Sequence, residues 1–252
     1  MSRVYFDLGN TRVKWWREQG VQERGAFDYD GMEAALGMIC GADSAADEAV
    51  FASVVRDARL QQFTQALRKQ GFGKLSSCRV TSEALGVRCA YEDVGRLGID
   101  RWLVVVAGWQ RVQGAVVVVD LGTAATIDFV DAGGQHLGGY ILPGLRLGVT
   151  ALLQGTNNVI VDFEKLRGCG VVPGRNTTDA VYHGAVYAMK SLVESAFHWL
   201  RKTDSEAKLL ITGGDADLVA ACLECHYEKV DDLVFTGMRL LADANRVVEE
   251  RA

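Results

Sequence analysis

The segment Asp7-Leu8-Gly9-Asn10-Thr11 follows a short apolar run, Val4–Phe6, and the similar segment Asp120-Leu121-Gly122-Thr123-Ala124 follows a second apolar run, Ala115–Val119. From position 7 to position 120 the interval is 113 residues, close to half of the 252-residue chain. Self-similarity at such a spacing indicates a repeated structural unit. Length alone does not decide between one large domain and two small ones. The repeat favours two domains, which we place at residues 1–112 and 113–252.

Each copy is predicted to open with strands separated by tight turns. In the first copy, Val4–Leu8 is rich in residues that favour strands, Gly9-Asn10 is a turn signal, and Arg12–Trp15 alternates basic with apolar residues. The strands predicted in the second copy are Val116–Val119, Thr126–Val130 and His136–Leu142, with Lys208–Ile211 later in the chain.

Helical periodicity follows these strands. Residues 100–112 carry apolar side chains at helical spacing, and this period outweighs the local strand preference of the β-branched run Val104–Val106. A longer helix through residue 200 is predicted to begin with Asn176 or Thr177 as its N-cap. Two further helices are predicted at Asp217–Leu223 and Leu233–Asn245. This mixture of strands and helices indicates an α/β fold.

Charge and hydropathy argue against several classes of protein. The chain has 27 Lys and Arg against 32 Asp and Glu, a net charge of −5, and no basic cluster that would favour nucleic acid or an anionic membrane. Its apolar stretches fall short of the ~20 residues that span a bilayer. Asp7 interrupts what would need to be the apolar core of a secretion signal. We therefore expect a cytoplasmic protein with small-molecule ligands and no nucleic-acid or membrane partner.

The six cysteines, at positions 40, 78, 89, 169, 222 and 225, are predicted to be free thiols, because the chain shows no export signal. The segment Cys222-Leu223-Glu224-Cys225-His226 matches the pattern of covalent haem attachment. Its position in an apolar helical stretch favours two buried helical thiols instead. A zinc site has no second Cys/His pair at ligand spacing to support it.

The two Asp-Leu-Gly turns have the composition of phosphate-binding loops. Glycine lets the backbone approach a ligand closely, successive N–H groups and an Asn or Thr side chain can hold phosphate oxygens, and the aspartate can bind a cation or its water shell. One such turn is common in hairpins. Two such turns in equivalent positions of a duplicated fold would bind a polyphosphate from both sides of a cleft. The pair therefore predicts a nucleotide site with Mg²⁺.

Three further features have both a chemical and a structural interpretation. Lys14 is either a cation for phosphate or part of a solvated strand face. The glycines of Thr212-Gly213-Gly214-Asp215 either admit a nucleoside or serve a strand-to-helix turn. Asp100 is either the N-cap of the predicted helix or a base that accepts an alcohol proton. In the second case, Arg101 could form a bidentate hydrogen bond with a substrate carboxylate.

Taken together, these segments resemble the type III pantothenate kinases, a family within the acetate/sugar kinase, Hsp70 and actin superfamily. The resemblance spans nearly the whole chain, and the order of its motifs is specific to the family. The matching segments are Asp7–Lys14, Leu97–Trp102, Asp120–Thr126, Gly138–Gly144, Asn176-Thr177 and Thr212–Gly214. The implied fold is α/β, with duplicated ribonuclease H-like domains of the actin/sugar-kinase type and a nucleotide cleft between them.

The resemblance implies transfer of the ATP γ-phosphoryl group to pantothenate, the first step of coenzyme A biosynthesis, with Asp100 as general base. It also implies a homodimer, ATP as co-substrate, Mg²⁺, and a monovalent cation, K⁺ or NH₄⁺, bound by Asp120. Asp7 is a possible Mg²⁺ ligand. The residues assigned to ATP are Asp7, Leu8, Gly9, Asn10, Thr11, Arg12, Val13, Lys14, Thr123, Gly213 and Gly214. Those assigned to pantothenate are Tyr91, Gly98, Ile99, Asp100 and Arg101, with Thr177 reaching it from the partner subunit.

Between Tyr91 and Leu97 the chain departs from the family pattern, reading Glu92-Asp93-Val94-Gly95-Arg96 where many relatives carry a proline. Two alternative functions remain open. One is an ATP-binding regulator of the same family, like the Bvg accessory factor, and the other is a kinase for another small alcohol.

Overall fold

The structure is a computed structural model and describes residues 2–19, 21–40, 48–55, 58–156, 161 and 170–250. Its helices are α1 (Met32–Ile39), α2 (Ala58–Lys69), α3 (Ile99–Val112), α4 (Leu145–Gln154), α5 (Thr177–Arg201), α6 (Ala216–Ala220) and α7 (Leu233–Asp243), with 3₁₀ turns at Tyr29–Gly31 and Val94–Arg96. Its strands are β1 (Arg3–Leu8), β2 (Arg12–Gln19), β3 (Val21–Asp28), β4 (Glu48–Ser53), β5 (Lys74–Cys78), β6 (Glu83–Ala84), β7 (Val87–Arg88), β8 (Val116–Leu121), β9 (Ala124–Val130), β10 (His136–Pro143), β11 (Lys208–Thr212), β12 (Glu228–Lys229) and β13 (Val247–Glu249).

Two sheets repeat one topology. The first has the order β3-β2-β1-β4-β5, with β13 added at the β5 edge, and the second has the order β10-β9-β8-β11-β12. In each sheet the first three strands are antiparallel and the last two run parallel to the central strand. Strand β8 is thus the counterpart of β1, and β9 the counterpart of β2. The predicted duplicated α/β fold is confirmed.

The chain forms two compact units that interleave along the sequence. One comprises Met1–Leu85, Tyr91–Ala107 and Val234–Ala252, and the other comprises Gly86–Ala90 and Gly108–Leu233. The last segment returns to the first unit because β13 pairs antiparallel with β5. The boundary that we predicted, between residues 112 and 113, falls at the end of α3. It would make each domain one continuous stretch of the chain.

Each unit has its own apolar core. In the first, Phe63 of α2 packs edge-on against Phe6 and Phe51, with ring centroids 5.3 and 6.1 Å apart. In the second, Val116–Val119 of β8 are fully buried, and α5 packs beside this strand. Burial of apolar side chains is the main source of stability in such cores, and edge-on aromatic pairs add to it.

Local signals predicted several helix bounds correctly. Helix α3 covers the 100–112 segment despite its β-branched run, because the side chains of Val104–Val106 are buried, and burial outweighs intrinsic propensity. Asn176 is the N-cap of α5, and its side chain accepts a hydrogen bond of 2.9 Å from the Asp179 N–H.

The cysteine predictions were partly wrong. Helix α6 ends at Ala220, three residues before its predicted end, so Cys222 and Cys225 follow the helix and are half-buried. Cys40, Cys78, Cys89 and Cys225 are not in disulfides, whereas Cys222 is disulfide-bonded. Cys169 lies outside the described residues.

A buried carboxylate links three strands of the first sheet. Glu48 of β4 is 1% exposed and accepts hydrogen bonds from Arg3 at 2.8 Å, Lys74 at 2.9 Å and Ser76 at 2.6 Å. Burial by itself would raise the pKa of Glu48, but the hydrogen bonds from Ser76, Lys74 and Arg3 outweigh it and the pKa is lowered.

We expect Glu48→Gln to lower the free energy of unfolding by about 2 kcal/mol at neutral pH, because two cations lose their buried partner. A lowered pKa in the folded state means that this contribution is present above the unfolded-state pKa, about 4.3, and is lost as the pH falls through the folded-state value. Denaturation from pH 7 to pH 3 should therefore show a smaller acid dependence in the variant. Glu33→Gln is the control, since Glu33 and its partner Lys69 are both 71% exposed. Equal acid dependence in wild type and Glu48→Gln would contradict this account.

Candidate functional site

The first predicted phosphate turn joins β1 to β2. The Gly9 N–H donates to the Arg12 carbonyl at 3.1 Å and closes the turn. Asp7 is half-buried and lies directly opposite Lys14 in the strand register, so both side chains lie on one face of the sheet. The exposed residues of this segment are Asn10, Thr11, Arg12 and Lys14. The side chains of Leu8 and Val13 are buried in the core, so only the backbone of these two residues is open to a ligand.

Three segments outside the turn hold its carbonyl groups. The Leu8 carbonyl accepts from the Val54 N–H at 3.1 Å, the Gly9 carbonyl from the Tyr29 hydroxyl at 2.7 Å, and the Asn10 carbonyl from Arg59 Nη1 at 2.9 Å. Tyr29 and Arg59 belong to none of the sequence motifs. Because they lie far along the chain from the turn, the sequence did not indicate this role.

The second predicted turn joins β8 to β9 in the same way. The Gly122 N–H donates to the Ala124 carbonyl at 3.1 Å, and the Gly144 N–H donates to the Thr123 carbonyl at 2.9 Å. A Cβ atom at Gly144 would overlap the Gly122 carbonyl oxygen and lie 2.7 Å from that of Thr123. The backbone after β10 therefore supports this turn directly. This close contact explains why the Gly138–Gly144 motif ends in a glycine.

The Gly213-Gly214 segment lies against the same turn. Thr212 is the register partner of Asp120, and the Asp215 N–H donates to the Leu121 carbonyl at 2.9 Å. Gly213 has φ +101°, and a Cβ there would lie 2.5 Å from Asp120 Oδ1. Asp120, Thr123 and Gly213 are thus brought together within one unit, and Gly214 beside them is exposed.

Charged and aromatic groups that the sequence did not single out accompany this turn. Burial raises the pKa of Asp215, and the guanidinium of Arg146 offsets part of that rise. Burial also raises the pKa of Tyr182, with the negative charge of Asp215 as the second cause. A half-buried carboxylate at a strand-to-helix turn is a recognisable site feature only once the fold is known.

The predicted acceptor residues lie at the start of α3. Asp100 is the second residue of the helix, inside its first turn and not at the N-cap, and its Oδ1 accepts from the Arg101 N–H at 2.8 Å. A Cβ at Gly98 would lie 2.5 Å from the same oxygen, so glycine is needed for this placement of the carboxylate. Arg101 is 4% exposed, donates to the Tyr91 hydroxyl at 2.9 Å, and has its guanidinium 5.7 Å from the centre of the Tyr91 ring.

A cavity of about 1030 Å³ adjoins these residues within the first unit. Gly98 and Ile99 line it, together with Ser53, Val55 and Arg79. Its rim includes Asp93, whose side chain accepts from the Gly95 N–H at 3.1 Å. This aspartate cap holds the 3₁₀ turn Val94–Arg96 that leads to Gly98.

The other predicted site residue, Thr177, is exposed at the first position of α5. Within the described ranges, no group of three or more His, Cys, Asp or Glu side chains could hold a metal ion. Among the helices described, none combines the length and hydropathy needed to cross a membrane.

Two sheets of the same mixed topology, each with an Asp-Leu-Gly turn after its central strand, are typical of the actin and sugar-kinase fold. Solved structures agree on this fold. A protein described as a Baf family transcriptional activator from Campylobacter jejuni matches with TM-score 0.63 and 20% identity over 96% of this chain and 99% of its own. A protein described as a 2-dehydro-3-deoxygalactonokinase from Sinorhizobium meliloti matches with TM-score 0.56 and 12% identity over 96% of each chain.

Sequence comparison resolves the family within this class. The family model for type III pantothenate kinase matches residues 3–198. The type III pantothenate kinase of Chromohalobacter salexigens is 40% identical over 237 residues, 92% of this chain and 84% of the relative. That of Azotobacter vinelandii is 34% identical over 246 residues, 94% of this chain and 97% of the relative. The chain belongs to the type III pantothenate kinase family.

Proposed function

We propose that this protein transfers the γ-phosphoryl group of ATP to the primary hydroxyl of pantothenate, giving 4′-phosphopantothenate in the first step of coenzyme A biosynthesis. The observation that carries the proposal is the presence, in a member of this family, of two equivalent turns together with a carboxylate at the head of α3. A nucleotide-binding protein needs only the turns, whereas an alcohol kinase also needs a group such as Asp100 that accepts the acceptor's proton.

ATP is proposed to bind through its phosphates to the two turns. In the first, the backbone from Asp7 to Lys14 and the Asn10 and Thr11 side chains supply donors, and Lys14 supplies a positive charge beside Asp7. In the second, Thr123 supplies a further contact, and Gly213-Gly214 leave the backbone open to the nucleoside. These groups offset the net negative charge of the chain where the phosphates bind.

The donor set fits Mg²⁺ held mainly by the nucleotide. Mg²⁺ is usually bound by one or two carboxylates, substrate phosphates and water, and Asp7 beside the first turn is the carboxylate proposed for it. When bound, the ion would neutralise charge on the phosphates. Asp120 is proposed to bind the monovalent cation, K⁺ or NH₄⁺, at the second turn.

In the acceptor site, Asp100 is proposed to orient the pantothenate hydroxyl and to accept its proton late in the transfer. An alcohol is too weak an acid for a carboxylate to deprotonate it fully beforehand, and a loose phosphoryl-transfer transition state does not require that it should. Arg101 and Tyr91, already hydrogen-bonded to each other, are proposed to bind the acceptor with Gly98 and Ile99. Most of the rate enhancement would come from positioning and charge neutralisation.

The homodimer that we predicted is supported by the apolar surface of the second unit. Ten large apolar side chains are exposed among the described residues, and seven of them lie on three elements, β10, α4 and α5. Exposed apolar side chains concentrated on a few elements favour an interface between protein chains. Thr177 at the start of α5 is proposed to reach the acceptor bound by the other protomer.

Because ATP is the co-substrate, we also propose that the protein acts in the cytoplasm.

Ile141→Glu is expected to convert the dimer into a monomer, because it places a charge on an apolar edge strand where the side chain is 64% exposed. Sedimentation should give about twice 27.4 kDa for the wild type and 27.4 kDa for the variant. Met38→Glu, on α1 and 79% exposed, is the control and should leave the mass unchanged. A wild type that sediments as a monomer would rule out the shared acceptor site.

A panel of acceptors tests the proposed reaction against its alternatives. ADP release is measured with Mg²⁺ and K⁺ or NH₄⁺, first without an acceptor and then with pantothenate or other small alcohols. We expect release only with pantothenate. Release with another alcohol but not with pantothenate would indicate a different kinase, and ATP binding without release under any condition would indicate a regulator.

A further inference from the structure

Three successive carbonyl oxygens of the first turn are engaged from outside it. Leu8, Gly9 and Asn10 accept hydrogen bonds from Val54, Tyr29 and Arg59, at 3.1, 2.7 and 2.9 Å. The Val54 bond is a backbone contact beyond β4, whereas the other two come from side chains. The two side-chain donors thus act on the two residues at the tip of the turn.

Holding these carbonyl groups has a consequence for an anionic ligand. A carbonyl oxygen repels a phosphate oxygen, and a turn binds an anion only when its N–H groups and not its carbonyl groups converge on the ligand. Preorganised donors are effective because the ligand does not have to reorient them. Glycine and asparagine also favour several backbone conformations, so this turn needs external contacts to keep one of them.

Tyr29 and Arg59 act as one assembly. The Arg59 guanidinium lies 5.1 Å from the centre of the Tyr29 ring, in a cation–π arrangement. Burial raises the pKa of Tyr29 even though the charge of Arg59 opposes the rise, so the hydroxyl stays protonated at neutral pH and remains a donor. Arg59 is the second residue of α2, and Tyr29 begins the 3₁₀ turn after β3.

We propose that Tyr29 and Arg59 are positioning residues that fix the Gly9-Asn10 carbonyl groups and thereby hold the first turn in the conformation that binds the phosphates of ATP. This inference rests on the proposed function, because it takes the first turn to be a phosphate site. Tyr29 and Arg59, which belong to none of the sequence motifs, thus have a specific effect on nucleotide affinity.

Nucleotide affinity and kinetics of the full-length chain test this proposal. Tyr29→Phe removes one hydroxyl and Arg59→Met removes the guanidinium while keeping an extended side chain. We expect the KM for ATP, and the Kd for Mg²⁺ with a non-hydrolysable ATP analogue, to rise about threefold in the first variant and about tenfold in the second. The KM for pantothenate should stay unchanged. Arg59→Lys, which retains a donor, should recover part of the loss.

The control and the double variant separate positioning from general damage. Lys69→Met removes a cation from the same helix at a residue whose side chain is 71% exposed and pairs only weakly with Glu33, and its KM for ATP should equal that of the wild type. The double variant should lose less affinity than the product of the two single losses, since both residues support one turn. A purely structural role would lower the active fraction, and hence kcat, with both KM values unchanged.

The outcomes also distinguish this inference from the proposed function. If the wild type binds the ATP analogue and both variants bind it within twofold of wild type, the positioning role is wrong and the proposed function stands. If the wild type itself does not bind the analogue, the proposed function fails as well.

Discussion

Asp100→Asn is expected to lower kcat about 10²- to 10⁴-fold, the range typical for loss of a general base. The amide has nearly the shape of the carboxylate and can still accept the hydrogen bond from the Arg101 N–H, which is 2.8 Å long in the wild type. It cannot accept a proton from the acceptor hydroxyl. Binding of ATP at the two turns does not involve this side chain, so the Kd for a non-hydrolysable ATP analogue should remain within about twofold of wild type.

The matched control is Asp93→Asn. Asp93 lines the cavity beside Gly98, and its side chain caps the Gly95 N–H, a role that an asparagine oxygen fills equally well. This variant loses the same charge from the same region, and kcat should remain within about threefold of wild type. Substantial turnover in Asp100→Asn, or an equal loss in both variants, would contradict the assignment of Asp100 as the base.

Gly144→Ala is expected to have the second largest effect. The added methyl group would overlap the Gly122 carbonyl oxygen and lie 2.7 Å from the Thr123 carbonyl oxygen. Both neighbours are backbone atoms of the second turn, so neither can move away by a change of rotamer. Because φ of Gly144 is −63°, the penalty is steric and not conformational. Overpacking of this kind costs about 1–3 kcal/mol, and the displaced turn should weaken ATP binding about tenfold or more.

Chemical denaturation and titration with the ATP analogue measure the two effects of Gly144→Ala separately. Gly37→Ala provides the control, since Gly37 is exposed on α1 and an added Cβ would meet no atom within 4 Å. A helical position of this kind is expected to gain about 0.5–1 kcal/mol of stability and to bind the analogue unchanged. Unaltered stability and affinity in Gly144→Ala would show that the segment after β10 does not support the turn.

The features predicted from the sequence are those with a local signal. The repeated Asp-Leu-Gly turns predicted the duplication because each turn follows a buried strand, and the structure places both after the central strand of a sheet. The periodicity of 100–112 predicted α3, and Asn176 followed by Asp179 predicted the start of α5. Each of these depends on residues that are neighbours along the chain.

The features that were not predicted depend on distant contacts. Strand β4 begins with a charged residue, Glu48, whose burial is stabilised by Arg3 and Lys74 from other strands. The return of β13 to the first sheet depends on pairing with β5. The carbonyl contacts of Tyr29 and Arg59 span 20 and 49 residues. No periodicity or motif of a single sequence encodes such pairs, which is why the support of the first turn became visible only in the structure.

Phosphorylation of pantothenate by this chain can be measured without any variant. The most direct measurement is transfer of radiolabel from γ-labelled ATP to pantothenate by the purified wild-type protein, with Mg²⁺ and K⁺ or NH₄⁺ present. We expect labelled 4′-phosphopantothenate and ADP in equal amounts, and neither product when pantothenate is omitted. Absence of labelled product with every component present, in a protein that binds the ATP analogue, would contradict the proposed function.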